Sequence, residues 1–260
     1  MSPMRIAIIS DIHANLPALE ATLTDVDAQA PDLVLCLGDL VGYAPWPNEV
    51  VAEIRRRRIP TIAGNYDAGV GLTSDDCGCA YRTAEEQALG KDSIAFTNQI
   101  VTPETRAYLR ALPRHLTFDF GDDRARFRLL LVHGSPRKIN EYLFEDRPDR
   151  SFQRLLEDAG ADVLVFGHTH KPFWKRLEVA ADSAATHRHA VNAGSVGKPK
   201  DGDPRACWTL LEVSDSPTGA SPDSLRVSFR RVAYDVERAA RAVETSALPD
   251  AFARALRLAV

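Results

Sequence analysis

The sequence predicts a layered α/β fold interrupted by a helical insertion. Short, continuously apolar runs alternate with helical patterns at the start of the chain, up to residue 63. Between residues 70 and 112 that alternation lapses and no strand pattern is legible, and from residue 115 strand patterns resume. Continuous apolar strands are those buried on both faces, as helix-covered sheets require.

Residues 5–10 (RIAIIS) make the first strand, and Asn15–Ala30 follow with Leu16, Leu19, Leu23 and Val26 at helical spacing. Residues 33–37 (LVLCL) make the second strand, 48–58 a helix, and 59–63 (IPTIA) a third strand. Two amphipathic helices are expected at 83–98 and 103–111, the second opened by Thr102-Pro103-Glu104. Strands are read at 115–120, 127–133, 162–166, 173–179, 187–193, 207–213 and 225–233, with a helix at 151–159. Residues 214–224 (SDSPTGASPDS) form a flexible surface turn, and 235–259 are helical with a break at Pro249. All 260 residues are read as one domain, 1–260, with a helical cap at about 70–112 and a C-terminal helix at 235–259.

Composition bounds the function. The apolar share is 45% and the charged share 26%, as in ordinary globular proteins. A net charge of -4 offers no field for duplex nucleic acid. Arg55-Arg56-Arg57-Arg58 ends a helical pattern, where the helix dipole favours cations. No apolar run has the roughly 20 residues that span a bilayer. MSPMRIAIISDIH enters a strand without a signal-peptide pattern, so a cytoplasmic location is expected. Of the four cysteines, Cys36 reads as a core thiol; Cys77 and Cys79 are too close in sequence for a relaxed disulfide and receive no role.

The chemistry lies just after the strands. The first is followed by Asp11-Ile12-His13, the second by Gly38-Asp39 and the third by Gly64-Asn65-Tyr66-Asp67. Later strands end in His133-Gly134 and Gly167-His168-Thr169-His170. Ligand sites of open α/β sheets collect at the carboxyl ends of strands. One Asp or His there is ordinary turn chemistry. Four of the chain's seven histidines in such segments, with Asp11, Asp39 and Asn65, point instead to a metal site.

In this order and context the motifs D-x-H, G-D, G-N-Y-D, G-H and G-H-x-H resemble those of the calcineurin-like metallophosphoesterases. GDLVGYAPWPNEV (38–50) and NAGSVGKPKDGDPRACW (192–208) look like the bacterial and archaeal branch of small phosphodiesterases and diadenosine-tetraphosphatase-like enzymes. The resemblance runs from residue 5 to about 213 and implies a four-layer αββα sandwich with mixed sheets. It also implies one metal on Asp11, His13, Asp39 and His170, and a second on Asp39, Asn65, His133 and His168, with Asp39 bridging. Two such ions activate a shared hydroxide for in-line attack on phosphorus. The mixed donors suit Mn²⁺ first, with Fe, Ni or Zn²⁺ compatible.

The expected function is therefore hydrolysis of a phosphodiester or phosphoanhydride in a small, nucleotide-like substrate. Catalytic roles are assigned to Asp39, Asn65, Tyr66, Asp67 and His133. Tyr66 stands where many relatives carry a His that protonates the leaving group. Its presence favours a substrate with a good leaving group; packing over the site is the equal alternative. Tyr43, Lys198 and Arg205 are candidate substrate contacts, and Arg137 a further one. Tyr81 and Phe96 of the insertion either stack on a base or fill the cap's own core. His115, His187 and His189 are expected at the surface. A serine/threonine protein phosphatase, a nuclease and a non-catalytic scaffold are the competing readings. The C-terminal helix leaves homo-oligomerisation open.

Overall fold

The computed structural model describes residues 3–81, 83–121, 126–179 and 186–260. Alternation along the first strand, β1 (Met4–Ile9), shows how the layers arise. Ile6 and Ile8 face one side and Ala7 and Ile9 the other, and all four are fully buried. Ala7 and Ile9 join a core made by helices α1 (Leu16–Gln29), α2 (Pro47–Arg56), α3 (Asn65–Gly71) and α5 (Pro103–Ala111). Ile6 and Ile8 instead enter a core shared with a second sheet.

The first sheet has the order β2-β1-β8-β9, built from β2 (Leu33–Cys36), β8 (Ala206–Val213) and β9 (Leu225–Val232) around β1. Its β1–β2 pair is parallel and the others antiparallel. The second sheet contains β3 (His115–Phe120), β4 (Phe127–Val132), β5 (Val163–Phe166), β6 (Phe173–Glu178) and β7 (His187–Asn192) in the order β3-β4-β5-β7-β6. β4, β5 and β7 run parallel, and antiparallel strands close both edges. Phe127, Leu129, Leu131, Val163 and Val165 meet Ile6, Ile8 and Leu211 between the sheets. On the outer face, Leu130, Leu164 and Ala190 pack on Phe152, Leu155 and Leu156 of α6 (Asp149–Asp158). Helix, sheet, sheet and helix are thus successive layers, as two apolar-faced mixed sheets require.

Helices α7 (Val236–Glu244) and α8 (Asp250–Leu258), parted at Pro249, pack on each other and on Ala14 and Ala44. Helix α4 (Ala84–Ile100) is capped by Thr83 and buries Ile94 beside Val70. Eight α-helices are present among the described residues. Residue 82, within the predicted cap, lies outside them.

The expected third strand shrinks to one bridge, Cys36 to Thr61. Pro60 has no N–H, so the Cys36 amide donates to the Pro60 carbonyl (3.0 Å) but no extended ladder can form. Helix α3 was not foreseen, because two glycines in NYDAGVG weaken helical propensity. Its first turn is held by the Asp67 carboxylate, which accepts from the Gly64 amide at 3.0 Å. His189, expected at the surface, is fully buried, with its Nδ1 accepting from Trp174 Nε1 at 3.2 Å. Surface turn 214–224 closes on a buried Ser224, whose hydroxyl donates to Thr218 O.

Candidate metal centre

The carboxyl ends of β1 and β2 in one sheet and of β4 and β5 in the other converge at one end of the molecule. The backbone there turns through left-handed conformations that L-residues avoid. Asp11, His13, Asp39, His168 and His170 all have φ between 50° and 66°. Each costs on the order of 1 kcal/mol or more, and such strain collects where side chains are aimed for function.

Two groups of three buried donors result. Asp11, His13 and His170 form one, and Asp39, His133 and His168 the other, with donor atoms inside each group within 4.8 Å of one another. Asp39 Oδ2 joins the groups, lying 3.7 Å from His13 Nε2 and 3.3 Å from His133 Nε2. Asn65 Oδ1 adds a further oxygen, 3.1 Å from His133 Nε2.

Backbone contacts determine which atoms face inward. Nδ1 of His13, His133 and His170 lies 3.0, 2.9 and 2.5 Å from the carbonyls of Val41, Leu37 and Lys198. Carbonyls only accept, so each Nδ1 carries a proton and each ring turns its Nε2 to the centre. Two of those nitrogens, of His13 and His170, stand 3.2 Å apart. Asp11 Oδ2 accepts from Ser10 Oγ (2.6 Å) and the His168 amide (3.1 Å), while Oδ1 is left with no partner. His168 Nε2 is likewise buried and unpartnered. Converging acceptors that lack donors fit cations, since unpaired buried polar atoms are otherwise costly. This donor set fits divalent metal ions.

Electrostatics report the same crowding. Burial pushes His13 and His168 down to about 3 and His170 well below its usual range. Burial, reinforced by Asp39, pushes Asp11 up to about 6 despite His133. For His133 burial opposes the charge, but Asp39 and Asp11 outweigh it and raise the ring to about 10. Burial likewise opposes the Asp39 charge, and His133 overcomes it, holding the carboxyl below its ordinary range.

Glycines make the close approach feasible. A Cβ on Gly64 would stand 2.0 Å from Asp39 Oδ1, and Gly38, at φ +88°, would put one 2.2 Å from the Gly64 amide. Asp39 Oδ1 accepts from the Tyr66 amide at 2.8 Å. The Asn65 amide group is oriented by the Cys77-Gly-Cys79 segment, for its Nδ2 donates to Cys77 O at 3.0 Å. That segment, which the sequence left without a role, thereby turns Oδ1 to the centre. Cys77 and Cys79 are free thiols with sulfurs 3.2 Å apart.

The centre floors a cavity of about 620 Å³ lined by Tyr43, Tyr66, Tyr81, Tyr142, Lys198 and Lys200, among others. Tyr43 packs edge-on against His13 at 4.8 Å and lies 4.7 Å from the Tyr66 ring. The Tyr66 hydroxyl is enclosed and makes no hydrogen bond of ordinary geometry. Burial raises its pKa well above the usual phenol value.

Several expected site residues lie elsewhere. Asp67 is outside the cavity lining, and both its oxygens are used, by Gly64 N and by Leu40 N at 2.9 Å. Both oxygens expected to serve catalysis are thus taken up by backbone amides. Arg205 points away and pairs with Asp203 at 2.7 Å. Arg137 pairs with Glu141 and lines a separate groove. Phe96 packs against the C-terminal helices. Sequence reasoning missed Lys200, although it stands two residues from Lys198 in the same loop. It also missed Tyr142, whose ring lies 4.1 Å from that of His168 and which no motif signals.

Fold and centre together describe a metallophosphoesterase. The model of the calcineurin-like phosphoesterase superfamily domain matches residues 4–216, and the chain belongs to that family. It is similar to protein MJ0912 of Methanocaldococcus jannaschii, with 31% identity over 257 residues and 94% of each chain covered. Among solved structures it resembles a metallophosphoesterase from Sphaerobacter thermophilus, at 30% identity and a TM-score of 0.73, covering 99% of this chain and 100% of that one. PH1004 from Pyrococcus horikoshii OT3 shares the fold at 22% identity, with a TM-score of 0.76 and 97% of each chain covered.

Proposed function

We propose that the protein hydrolyses a phosphodiester or phosphoanhydride of a small, nucleotide-like substrate with two divalent metal ions. The observation that carries this reading is the meeting of buried lone pairs, His13 Nε2 facing His170 Nε2 at 3.2 Å beside the unpartnered Asp11 Oδ1. Asp11, His13 and His170 would hold one ion; Asn65, His133 and His168 would hold the other, with Asp39 between them. Carboxylate, imidazole and carboxamide donors suit Mn²⁺ first, with Fe, Ni and Zn²⁺ compatible. Divalent cations there would supply Lewis acidity toward a phosphoryl oxygen and lower the pKa of water towards neutrality.

The protein's own part is positioning. Carbonyls of Val41, Leu37 and Lys198 hold the His13, His133 and His170 rings, and the Tyr66 amide holds Asp39. At position 66 a high-pKa phenol replaces an imidazole, so a ready proton donor is missing there. Alkoxide departure needs such a donor, commonly worth about 10²–10⁴-fold, whereas a phosphate leaving group needs little protonation. This supports a phosphoanhydride or activated diester over a phosphoserine ester. Tyr81, Glu86 and Leu89 of the 70–112 segment line the cavity, which supports its reading as a cap. Free thiols at Cys36, Cys77, Cys79 and Cys207 support a reducing, cytoplasmic setting.

The test is steady-state turnover by Mn²⁺-loaded protein of diadenosine tetraphosphate, bis-p-nitrophenyl phosphate and a phosphoserine peptide. Preferred cleavage of the tetraphosphate, abolished in Asp39→Asn, is expected. Faster turnover of the peptide would overturn the leaving-group argument, and loss of no activity in Asp39→Asn would overturn the metal assignment.

A further inference from the structure

The loop after β7 carries two lysines to the cavity wall, Lys198 and Lys200. Neither is held in an ion pair within the described residues. Lys198 is buried, 8% exposed, and its ammonium lies over the Tyr43 ring, 5.0 Å from the centroid. That ring in turn packs on His13. The lysine is therefore one aromatic ring from a ligand of the metal centre.

Its backbone is fastened to the centre from both sides. The Lys198 amide donates to Ser195 Oγ at 2.8 Å, and that hydroxyl donates to Asp11 O at 2.7 Å. The Lys198 carbonyl accepts from His170 Nδ1. Gly197 N donates to Asp11 O at 3.0 Å, and a Cβ on Gly197 would stand 1.7 Å from Ile12 O, so the loop packs directly on the segment after β1. Lys198 is thus placed in register with Asp11 and His170 rather than left on a free loop.

The charges in the lining are unequal. Beyond Asp39, Glu86 is the acid in the wall, against Lys171, Lys198 and Lys200. Glu86 acts electrostatically on Lys200. Carboxylates of the centre are the other nearby negative charges, and cations bound there would offset them. Lysines that face a polar cavity without a direct ion pair are suited to anions.

Resting on the phosphoesterase reading above, we propose that Lys198 and Lys200 form a subsite for a second phosphoryl group adjoining the one at the metal centre. The substrate class is then a phosphoanhydride or polyphosphate rather than a simple diester. Tyr43 lies between the Lys198 ammonium and the His13 ring, 5.0 Å from the one and 4.8 Å from the other. The aromatic wall of Tyr81, Tyr142 and Phe252 borders the same cavity and offers a face to a nucleoside.

The test starts with unaltered, Mn²⁺-loaded protein at a fixed excess of free Mn²⁺. Lysine acetylation by acetic anhydride is mapped by peptide mass spectrometry with methylphosphonate or with methylenediphosphonate, neither of which can be hydrolysed. Methylenediphosphonate is expected to slow acetylation of Lys198 and Lys200 at least fivefold more than methylphosphonate, with surface lysines such as Lys138 unaffected. Equal rates at both lysines under the two ligands would overturn the proposal. Calorimetric titration of Lys198→Gln and Lys200→Gln supplies the second readout. The ratio of the two ligands' affinities should fall by about tenfold to a hundredfold, the worth of one or two charge-assisted hydrogen bonds. An unchanged ratio in folded variants of full Mn²⁺ content would likewise overturn it. Protection by α,β-methylene-ADP at lower concentration than by methylenediphosphonate would assign the group to a nucleotide, and the reverse order to inorganic polyphosphate; both sustain the subsite. Hydrolysis of bis-p-nitrophenyl phosphate without differential protection would reject the subsite alone, whereas absence of any metal-dependent hydrolysis would reject the phosphoesterase reading beneath it.

Discussion

Asp67→Asn separates positioning from chemistry at a residue the motif alone would class as catalytic. The carboxylate is fully buried and accepts from Leu40 N at 2.9 Å and Gly64 N at 3.0 Å. An asparagine in its place can accept from one of those amides and must turn an NH₂ to the other. The lost bond to a charged acceptor costs roughly 1.5–3 kcal/mol, and the buried amide left unpaired about 1–3 more. Against this, the substitution removes the burial penalty and the repulsion from Asp39 that push Asp67 up to about 7. A net loss of about 2 kcal/mol follows, which for a chain of this size lowers Tm by roughly 4–8 °C. Leu40 adjoins Asp39 and Gly64 adjoins Asn65, so metal affinity should fall about 10–100-fold, as when a partner that orients a ligand is removed. Urea unfolding of metal-free protein and Mn²⁺ titration measure the two effects. Turnover at saturating Mn²⁺ should largely recover. Unchanged stability and affinity together with a kcat loss beyond about 10³-fold would refute the positioning role.

Four further outcomes are expected. Chelation of metal from loaded protein should lower Tm by on the order of 10 °C, from linkage at about a thousandfold excess over Kd, measured by differential scanning calorimetry. Gly64→Ala, which drives a Cβ into Asp39 Oδ1, should cost about 2–3 kcal/mol and abolish tight Mn²⁺ binding, read by unfolding and calorimetric titration. Tyr66→His should raise turnover of alkyl phosphodiesters at least tenfold more than that of diadenosine tetraphosphate; equal gains would remove the leaving-group argument. His189, held down to about 4 by burial, by Arg176 and by His187, stays neutral in the fold while an unfolded histidine takes up a proton near 6.5. The unfolded state thus binds more protons in that window, so its share of stability is present above about pH 6.5 and is lost as pH falls towards 4. Between pH 7.5 and 5.5 that share is about 1 kcal/mol, and His189→Gln should flatten the stability-versus-pH slope by that amount in urea titrations.

The parts legible in the sequence were those whose physics is local. Apolar runs of strand length and leucines at helical spacing marked β1, α1, β2 and β5 because burial of one face imposes a period. The donors Asp11, His13, Asp39, His133, His168 and His170 could be read because each follows a strand in a compact motif. What escaped depends on partners distant in sequence. Asp67 looks like a member of a catalytic pair until Leu40, 27 residues away, is seen to donate to it. Cys77 acquires its task only through the Asn65 amide. Arg205 shares a loop with Lys198, but Asp203, two residues back, turns its guanidinium aside. His189 follows the alternation of β7, yet Trp174 on the neighbouring strand decides that it is buried.

The left-handed turns that carry Asp11, His13, Asp39, His168 and His170 belong to both sheets at once. His133, at the end of β4, leans on the Leu37 carbonyl beyond β2, and the His168 amide after β5 grips Asp11 after β1. Neither sheet holds a complete set of donors, so the site exists only once the two have docked. The centre is accordingly a seam: its assembly reports the docking of the two sheets, and damage to the apolar layer between them would surface as a change in what the seam can hold.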